Sequence, residues 1–442
     1  MTARDLARRV LERVEQGAWA TLALSGELSR ARGLHEGDPG LTTELVYGTL
    51  KRRRRLDYAL AQLAPRGTDA LDARTLDALR LGAYQILFTR VPAHAAVDDA
   101  VEAVKHARGS KLAGFANALL RRLAREGEPP PPDPRDLAAH LAVTESAPDW
   151  LVKDALARFP VEEARAFLAA LNEPAPIWLR ANTLRVSRDE LMARLAVELP
   201  EARFETSELA REALRVSGAG DLTRTRVWAE GLATTQDLAA QLVARLCAPK
   251  AGETILDACA GVGGKSTHLA ALTGDRASID AADLSERKLE LAADGAHRLG
   301  VGSLHPIVCD LTDEHAPLQP SYDRILLDAP CSGLGVLRRH PEAKWRPRPN
   351  AAELAELQTQ LLDALAERVR PGGTLVYSVC TFTDEEGPSR RAAFLAAHPD
   401  FRVTPPEEPA VRALLDEGGA LRTWPHRHGS DAFYAVRFSR KG

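Results

Sequence analysis

The sequence predicts a multidomain protein: an all-α helical bundle at the N-terminus, a small α+β middle domain, and a C-terminal α/β domain on a mostly parallel sheet. Three observations carry this. The run Pro129-Pro130-Pro131-Pro132-Asp133-Pro134 interrupts the chain, and such a run cannot continue a helix, so it reads as a stiff extended linker. Before it, apolar residues recur at helical spacing; after about Thr234, strand-like and helix-like stretches alternate. The 442 residues are long enough for several domains at roughly 100–200 residues each. The expected boundaries are 1–128, a linker at 129–134, then 135–233 and 234–442.

In the first domain, Leu6, Val10, Leu11 and Val14 fall on one helical face. Comparable stripes are Leu76, Leu79, Leu81, Ile86 and Leu87, then Val97, Val101 and Val104, then Phe115, Leu119, Leu120 and Leu123, separated by Pro92 and Gly109. In the middle segment, Ser146 with Pro148 marks a helix start, Ile177–Asn182 reads as a strand, and Ser187 with Glu190 forms a capping box. The last domain has candidate strands at Thr254–Ala258, Ser278–Asp283, Leu304–Cys309, Tyr322–Asp328, Thr374–Ser378 and Ala432–Phe438. Helical periodicity between them, as in Ser285–Leu299 and Ala351–Val369, implies helices on both faces of the sheet. Ligands of such sheets bind beyond the carboxyl ends of the strands, so motifs there carry the most weight.

Composition excludes several classes. Hydrophobic residues are 45 % and charged residues 27 %, as in folded globular proteins. No apolar stretch is long enough for a membrane span, and the N-terminus lacks the apolar core of a signal peptide. Five cysteines without CxxC or CxxH spacing predict neither a disulfide scaffold nor a structural zinc site, but reduced thiols in the cytoplasm. The net charge is −3, yet residues 1–128 hold 21 Lys+Arg against 16 Asp+Glu. That asymmetry fits an appended nucleic-acid module; Arg-rich usage throughout the chain is the plainer account.

The first strand of the last domain runs into Asp257-Ala258-Cys259-Ala260-Gly261-Val262-Gly263-Gly264-Lys265-Ser266. Glycines between strand and helix let the backbone turn tightly and approach a ligand. Gly264-Lys265-Ser266 could end a nucleoside-triphosphate P-loop, but that motif needs glycine where Cys259 stands. The other ligand class is S-adenosylmethionine, whose ribose hydroxyls an acid at the end of the second strand would bind. Asp283 lies about 20 residues after Gly263, as that arrangement requires, and Asp310 follows at the next strand end.

Two more strand ends carry thiols: Asp328-Ala329-Pro330-Cys331-Ser332-Gly333 and Ser378-Val379-Cys380-Thr381. Buried cysteines are usually inert, but two on one rim beside Asp328 suit methylation of pyrimidine carbon 5. That carbon becomes nucleophilic once a thiolate adds to carbon 6, with a carboxyl group assisting at ring nitrogen 3. A second thiol then suits release of the product. Spacing alone leaves open which cysteine attacks.

Ile255–Lys265, Asp323–Trp345 (DRILLDAPCSGLGVLRRHPEAKW), Gly373–Thr381 and Arg422–Phe433 together resemble the RsmB/Sun family of RNA cytosine-5 methyltransferases. Residues 1 to about 127 resemble that family's NusB-like RNA-binding domain, and Trp178–Thr183 its linking α+β domain. The resemblance implies a Rossmann-like class I S-adenosylmethionine-dependent methyltransferase domain. It makes Cys380 the nucleophile and Cys331 the thiol that assists release. Cys259, Ala260, Gly261, Val262, Gly263, Gly264, Lys265, Asp283, Asp310 and Asp328 would contact the cofactor, and Asp328 also the cytosine. The chain departs from the family's loop in having Gly261-Val262 where Ala-Pro is usual. His426, His428 and Asp431 fall within a matching segment, which argues against a metal site, and no metal is expected.

For RNA, Lys51-Arg52-Arg53-Arg54-Arg55 is the densest basic run, able to grip phosphates without reading sequence or simply to form a solvated face. Arg338, Arg339, His340, Lys344 and Trp345 follow the Cys331 motif and read as a substrate loop, with Trp345 able to stack on an unpaired base; the plainer alternative is a core Trp345 beside solvated arginines. The expected activity is 5-methylcytosine formation in small-subunit (16S) ribosomal RNA, with no membrane and no obligatory protein partner. Large-subunit or transfer RNA is the alternative substrate, and an RNA-binding assembly factor without turnover the alternative class.

Overall fold

The computed structural model describes residues 2–35, 37–65 and 67–442. Its contacts divide the chain into two compact units, Met1–Pro174 with Leu337–Pro347, and Ala175–Val336 with Arg348–Gly442.

The first unit is helical. α1 (Ala3–Glu15), α2 (Ala20–Arg30), α3 (Asp38–Lys51), α4 (Arg53–Leu63), α5 (Ala73–Phe88), α6 (Ala93–Arg108) and α7 (Ser110–Glu126) surround one apolar core. α1 opens with a capping box between Thr2 and Asp5. The stripes read from the sequence do face inward: Leu6, Val10, Leu11, Leu79, Val104, Leu120 and Leu123 are buried. Pro92 precedes α6, and Gly109, at φ +83°, separates α6 from α7. The proline run lies on this unit: the Tyr58 hydroxyl donates to Pro130 O at 3.0 Å, and His140 Nδ1 lies 2.8 Å from Pro132 O. α8 (Leu137–Thr144), α9 (Asp149–Arg158) and α10 (Val161–Ala170) follow in the same unit. The division therefore falls at Pro174, well after the prolines.

Leu337–Pro347, expected to be a substrate loop, belongs to this helical unit. α2 has no capping side chain of its own, and buried Glu342 supplies one, accepting from Ala20 N at 2.8 Å. The Lys344 ammonium is buried and donates to Lys51 O, Ser146 O and Asn172 Oδ1 at 3.2, 3.3 and 2.8 Å. Burial pulls it down to about 7. Trp345 Nε1 donates to Leu50 O at 2.8 Å, and His340 meets the Trp19 ring edge-on. Arg338 is buried and Arg339 half-buried. Lys344 and Trp345 here fill and bond an interior, so the expectation of a Trp345 free to stack on a base is corrected.

The basic run also makes contacts within this unit. Lys51 is buried, donates to Glu173 O at 2.9 Å, and is pulled by burial to about 8. Arg52 lies over the Phe88 ring, Arg53 pairs with Glu15, Arg54 with Asp149, and Arg55 with Glu128. Three of the five charges in the run are thus paired with carboxylates of the same unit. Replacing Lys344 by Met strands three oxygen acceptors and should destabilise the protein by about 2–3 kcal/mol in a denaturant titration. A phosphate-gripping lysine would instead leave stability unchanged and lower the salt slope of RNA binding by about one.

The second unit holds two sheets. β1 (Ile177–Ala181), β2 (Arg203–Thr206), β3 (Ala213–Ser217) and β4 (Ala233–Thr235) form an antiparallel sheet of order β2-β3-β1-β4. Between β1 and β2 runs α11 (Arg188–Glu198), opened by the Ser187–Glu190 capping box. Trp178 and Ala213 share a core with Leu242 and Ile255, so this sheet and the following domain bury apolar surface together.

The larger sheet comprises β5 (Thr254–Ala258), β6 (Ser278–Asp283), β7 (Leu304–Val308), β8 (Tyr322–Asp328), β9 (Val369–Val379), β10 (Phe401–Val403), β11 (Leu421–Thr423) and β12 (Phe433–Arg440). Its order is β10-β12-β9-β8-β5-β6-β7, with β11 on β12. β5 to β9 are mutually parallel and β12 is antiparallel. The chain builds outward from β5 through β6 to β7, then returns to place β8 on the other side of β5. That reversal opens a crevice at the carboxyl ends of β5 and β8.

Buried charges join the two sheets. Glu212 accepts from Arg245 and lies 2.7 Å from His268 Nε2. Burial, reinforced by the charge of Arg180, lowers His268 to about 4 and outweighs its bond to Glu212. Glu212 stays near 2, since His268 and Arg245 outweigh its own burial. A base depressed in the folded state contributes stability that is complete above its free value of 6.5 and is lost as pH falls toward 4; Glu212 acts in the same sense below 4.5. His268→Gln should therefore flatten the fall in urea midpoint between pH 6.5 and 4.

Candidate active site

The crevice is shaped first by the loop leaving β5. Cys259, Gly261 and Gly263 take left-handed conformations, at φ +62°, +57° and +74°. Cys259 is the unusual member, since a side chain there is strained, and the turn is held by neighbours. Ala260 N donates to Ala282 O at 2.9 Å, and Gly261 N to Asp283 Oδ2 at 2.9 Å. Gly263 packs on the helix after β6, where a Cβ would come within 2.7 Å of Ala292 Cβ. Gly261 and Gly264 have nothing within 4 Å of such a Cβ, so their backbone borders open space. Val262, at the outer tip, is 59 % exposed.

Asp283 is buried at the end of β6, its second oxygen accepting from Ser285 N at 2.9 Å. Asp310, just beyond β7, is exposed and accepts from Thr312 N and Oγ1, which hold it below the usual carboxylate range. A bare glycine loop with carboxylates at successive strand ends fits S-adenosylmethionine. The triphosphate alternative fails at Lys265, whose Nζ bonds Asp328 Oδ2 at 2.5 Å. Burial disfavours the lysine's charge, but the Asp328 carboxylate outweighs it and holds the ammonium charged.

The same pair reaches the thiols. Asp328 ends β8, and its other oxygen accepts from Ser378 Oγ at 3.0 Å on neighbouring β9. Cys380 follows β9, and its Sγ is 3.3 Å from Cys331 Sγ. The Cys331 partner, burial and the charge of Asp328 push the Cys380 thiol well above its ordinary value, while Lys265 opposes them. Gly335 N donates to Cys380 O at 2.9 Å, and Gly335 O accepts from Ala432 N at 3.0 Å. A Cβ on Gly335 would strike Ala432 O, so this close approach requires glycine. Of the remaining cysteines, burial pushes Cys247 and Cys259 up to about 12 and also raises Cys309. The structure thus brings Cys331, Cys380, Asp328 and Lys265 together.

Sequence reasoning missed Glu386, a fully buried carboxylate that accepts from Ser332, Gln358 and Thr383. It stands in Asp384-Glu385-Glu386, where only the exposure of Glu385 and the burial of Glu386 tell the two apart. In the histidine-containing segment, His428 Nδ1 accepts from Trp424 N at 2.8 Å. Among the described residues, no group of His, Cys, Asp and Glu is arranged to hold a metal ion.

Comparison with known proteins now bears on this geometry. A family model described as 16S rRNA methyltransferase RsmB/F matches residues 244–439, the NusB family matches 1–125, and the RsmF/B-like ferredoxin-like domain matches 147–223. A probable ribosomal RNA small subunit methyltransferase B of Bacillus subtilis is 36 % identical, with 99 % of each chain covered. The chain belongs to the RsmB/F methyltransferase family. The ribosomal RNA small subunit methyltransferase B of Klebsiella pneumoniae is 34 % identical, covering 99 % of this chain and 98 % of its own. The crystal structure of PH0851 aligns over 98 % of both chains with a TM-score of 0.81 and 26 % identity. As an S-adenosylmethionine-dependent methyltransferase of this family, the protein combines a NusB-like helical region with a Rossmann-like catalytic domain.

S-adenosylmethionine would lie on the Cys259–Lys265 loop, with Asp283 toward its ribose. Asp283→Asn loses a carboxylate that also holds the loop at Gly261, and should weaken cofactor binding by at least about 10-fold in calorimetry, roughly 1.4 kcal/mol.

Proposed function

We propose that this protein methylates carbon 5 of a cytosine in 16S ribosomal RNA through a covalent bond between Cys380 and the base, acting in the cytoplasm. The observation that carries the reading is the 3.3 Å approach of Cys380 and Cys331 beside Asp328. The choice of RNA is supported by the description of the matching family model, by the names of the relatives, and by the NusB-family region at the N-terminus.

The Cys380 thiol gives its proton up and its sulfur adds to carbon 6, while that proton passes by way of the Asp328 carboxylate to ring nitrogen 3, leaving an enamine whose carbon 5 is nucleophilic. Lys265 holds Asp328 in place, and its charge favours the Cys380 thiolate against the burial that opposes it. S-adenosylmethionine supplies the electrophilic methyl group. A base then takes the carbon 5 proton, the electron pair of that bond restores the carbon 5–carbon 6 double bond, and Cys380 leaves as a thiolate, with Cys331 assisting this release. The assignment of attack to Cys380 and release to Cys331 follows family resemblance. A paired cytosine has to be unstacked to reach these groups.

Methyl transfer from isotopically labelled S-adenosylmethionine into unmodified small-subunit ribosomal RNA, followed by digestion to nucleosides, tests the reaction. Label in 5-methylcytidine is expected; label in any other nucleoside overturns the chemistry. Cys331→Ala should accumulate a covalent protein–RNA adduct that survives denaturing electrophoresis, and the double variant with Cys380→Ala should form none.

A further inference from the structure

The two thiols are supported unequally. Cys380 directly follows β9, which is hydrogen-bonded to β8 on one edge and to β12 on the other. Cys331 follows β8 in a stretch without regular structure, before the short 3-10 turn at Leu334–Val336. Their separation therefore depends on what fixes the Cys331 segment.

Buried Glu386 meets that segment from several sides. Its carboxylate accepts from Ser332 N at 2.8 Å, Ser332 Oγ at 2.5 Å, Gln358 Nε2 at 3.1 Å and Thr383 Oγ1 at 3.0 Å. Ser332 directly follows Cys331, and its hydroxyl lies 2.9 Å from Thr381 Oγ1, directly after Cys380. The Gln358 amide also donates to Pro330 O at 2.9 Å, directly before Cys331. One carboxylate thus fixes the residue after Cys331, reaches the residue before it through Gln358, and is tied to the segment beyond Cys380. A carboxylate is suited to this position because all four partners donate, and each bond is strengthened by charge in a dry setting.

We propose that Glu386 is a positioning residue that sets the Cys331 thiol against Cys380, and so governs release of the methylated base rather than its capture. The inference rests on the two-thiol reading above. Loosening Glu386 moves the Cys331 segment and leaves Cys380 at the end of its strand, so its loss resembles a partial loss of Cys331.

Glu386→Gln keeps the shape but turns an amide donor toward donors. Its kcat should fall by on the order of 10²-fold, as expected for a misplaced reacting group, with cofactor affinity unchanged in calorimetry. It should also accumulate the covalent protein–RNA adduct, and addition of Cys380→Ala should remove that adduct. Ser332→Ala, which keeps the backbone donor, should shift turnover and adduct in the same direction by less, and it carries the test if Glu386→Gln does not fold. An anchor that merely stabilises the fold would lower the melting temperature or cofactor affinity without raising the adduct fraction, and that result overturns the inference. Cys331→Ala, run in parallel, separates the two failures. If it traps no adduct, the two-thiol reading falls and takes the inference with it. If it does and the Glu386 and Ser332 variants do not, only the role of Glu386 falls.

Discussion

The rim that carries Cys331 and Cys380 depends on the ion pair between Lys265 and Asp328, which spans the reversal between β5 and β8. Lys265 stands at the start of the helix after the glycine loop, and Asp328 at the end of the neighbouring strand. Their bond ties the cofactor loop to the strand end that leads to Cys331, and Ser378 extends the tie to the strand that ends before Cys380. Removing charge from water is costly, and this part-buried pair keeps close geometry with a further bond that Ser378 supplies to Asp328. The ion pair also occupies the ammonium that triphosphate binding would require. The same contact thus orders the site and narrows its chemistry.

Behind the loop, the antiparallel sheet supplies a second support. Arg180, on β1, is fully buried and donates to Gly264 O and Thr267 Oγ1 in the first turn of the helix after the glycine loop. Its guanidinium is pulled by burial down to about 9. Glu212, His268 and Arg245 form the adjoining network, so a sheet without catalytic residues still fixes the backbone against which the cofactor would lie. This makes the two sheets one compact unit.

The helical unit shows how charge-rich sequence misleads. Lys51 and Lys344 both turn inward onto carbonyl oxygens, and Arg53, Arg54 and Arg55 find carboxylates within the same unit. Long cationic side chains carry an apolar stem, so they can fill an interior provided every head group finds an acceptor.

Local chemistry made much of this protein legible in one dimension. Short apolar runs placed the strands Thr254–Ala258, Ser278–Asp283 and Tyr322–Asp328, and capping chemistry placed the helix after Ser187, because these depend on neighbours in sequence. The glycine loop and both Cys motifs were visible because strand ends and tight turns demand particular residue types. Short strands such as Arg203–Thr206 and Leu421–Thr423 were not, since pairing across the sheet rather than local pattern creates them. Nor could one dimension separate Glu386 from Glu385, or place Lys344 in an interior. Burial and partner distance are properties of residues far apart in the chain. Sequence alone determined the longer elements, the glycine loop and the two cysteine motifs at strand ends; tertiary structure decided which charges find partners, which carboxylate anchors the Cys331 segment, and that the thiols stand 3.3 Å apart.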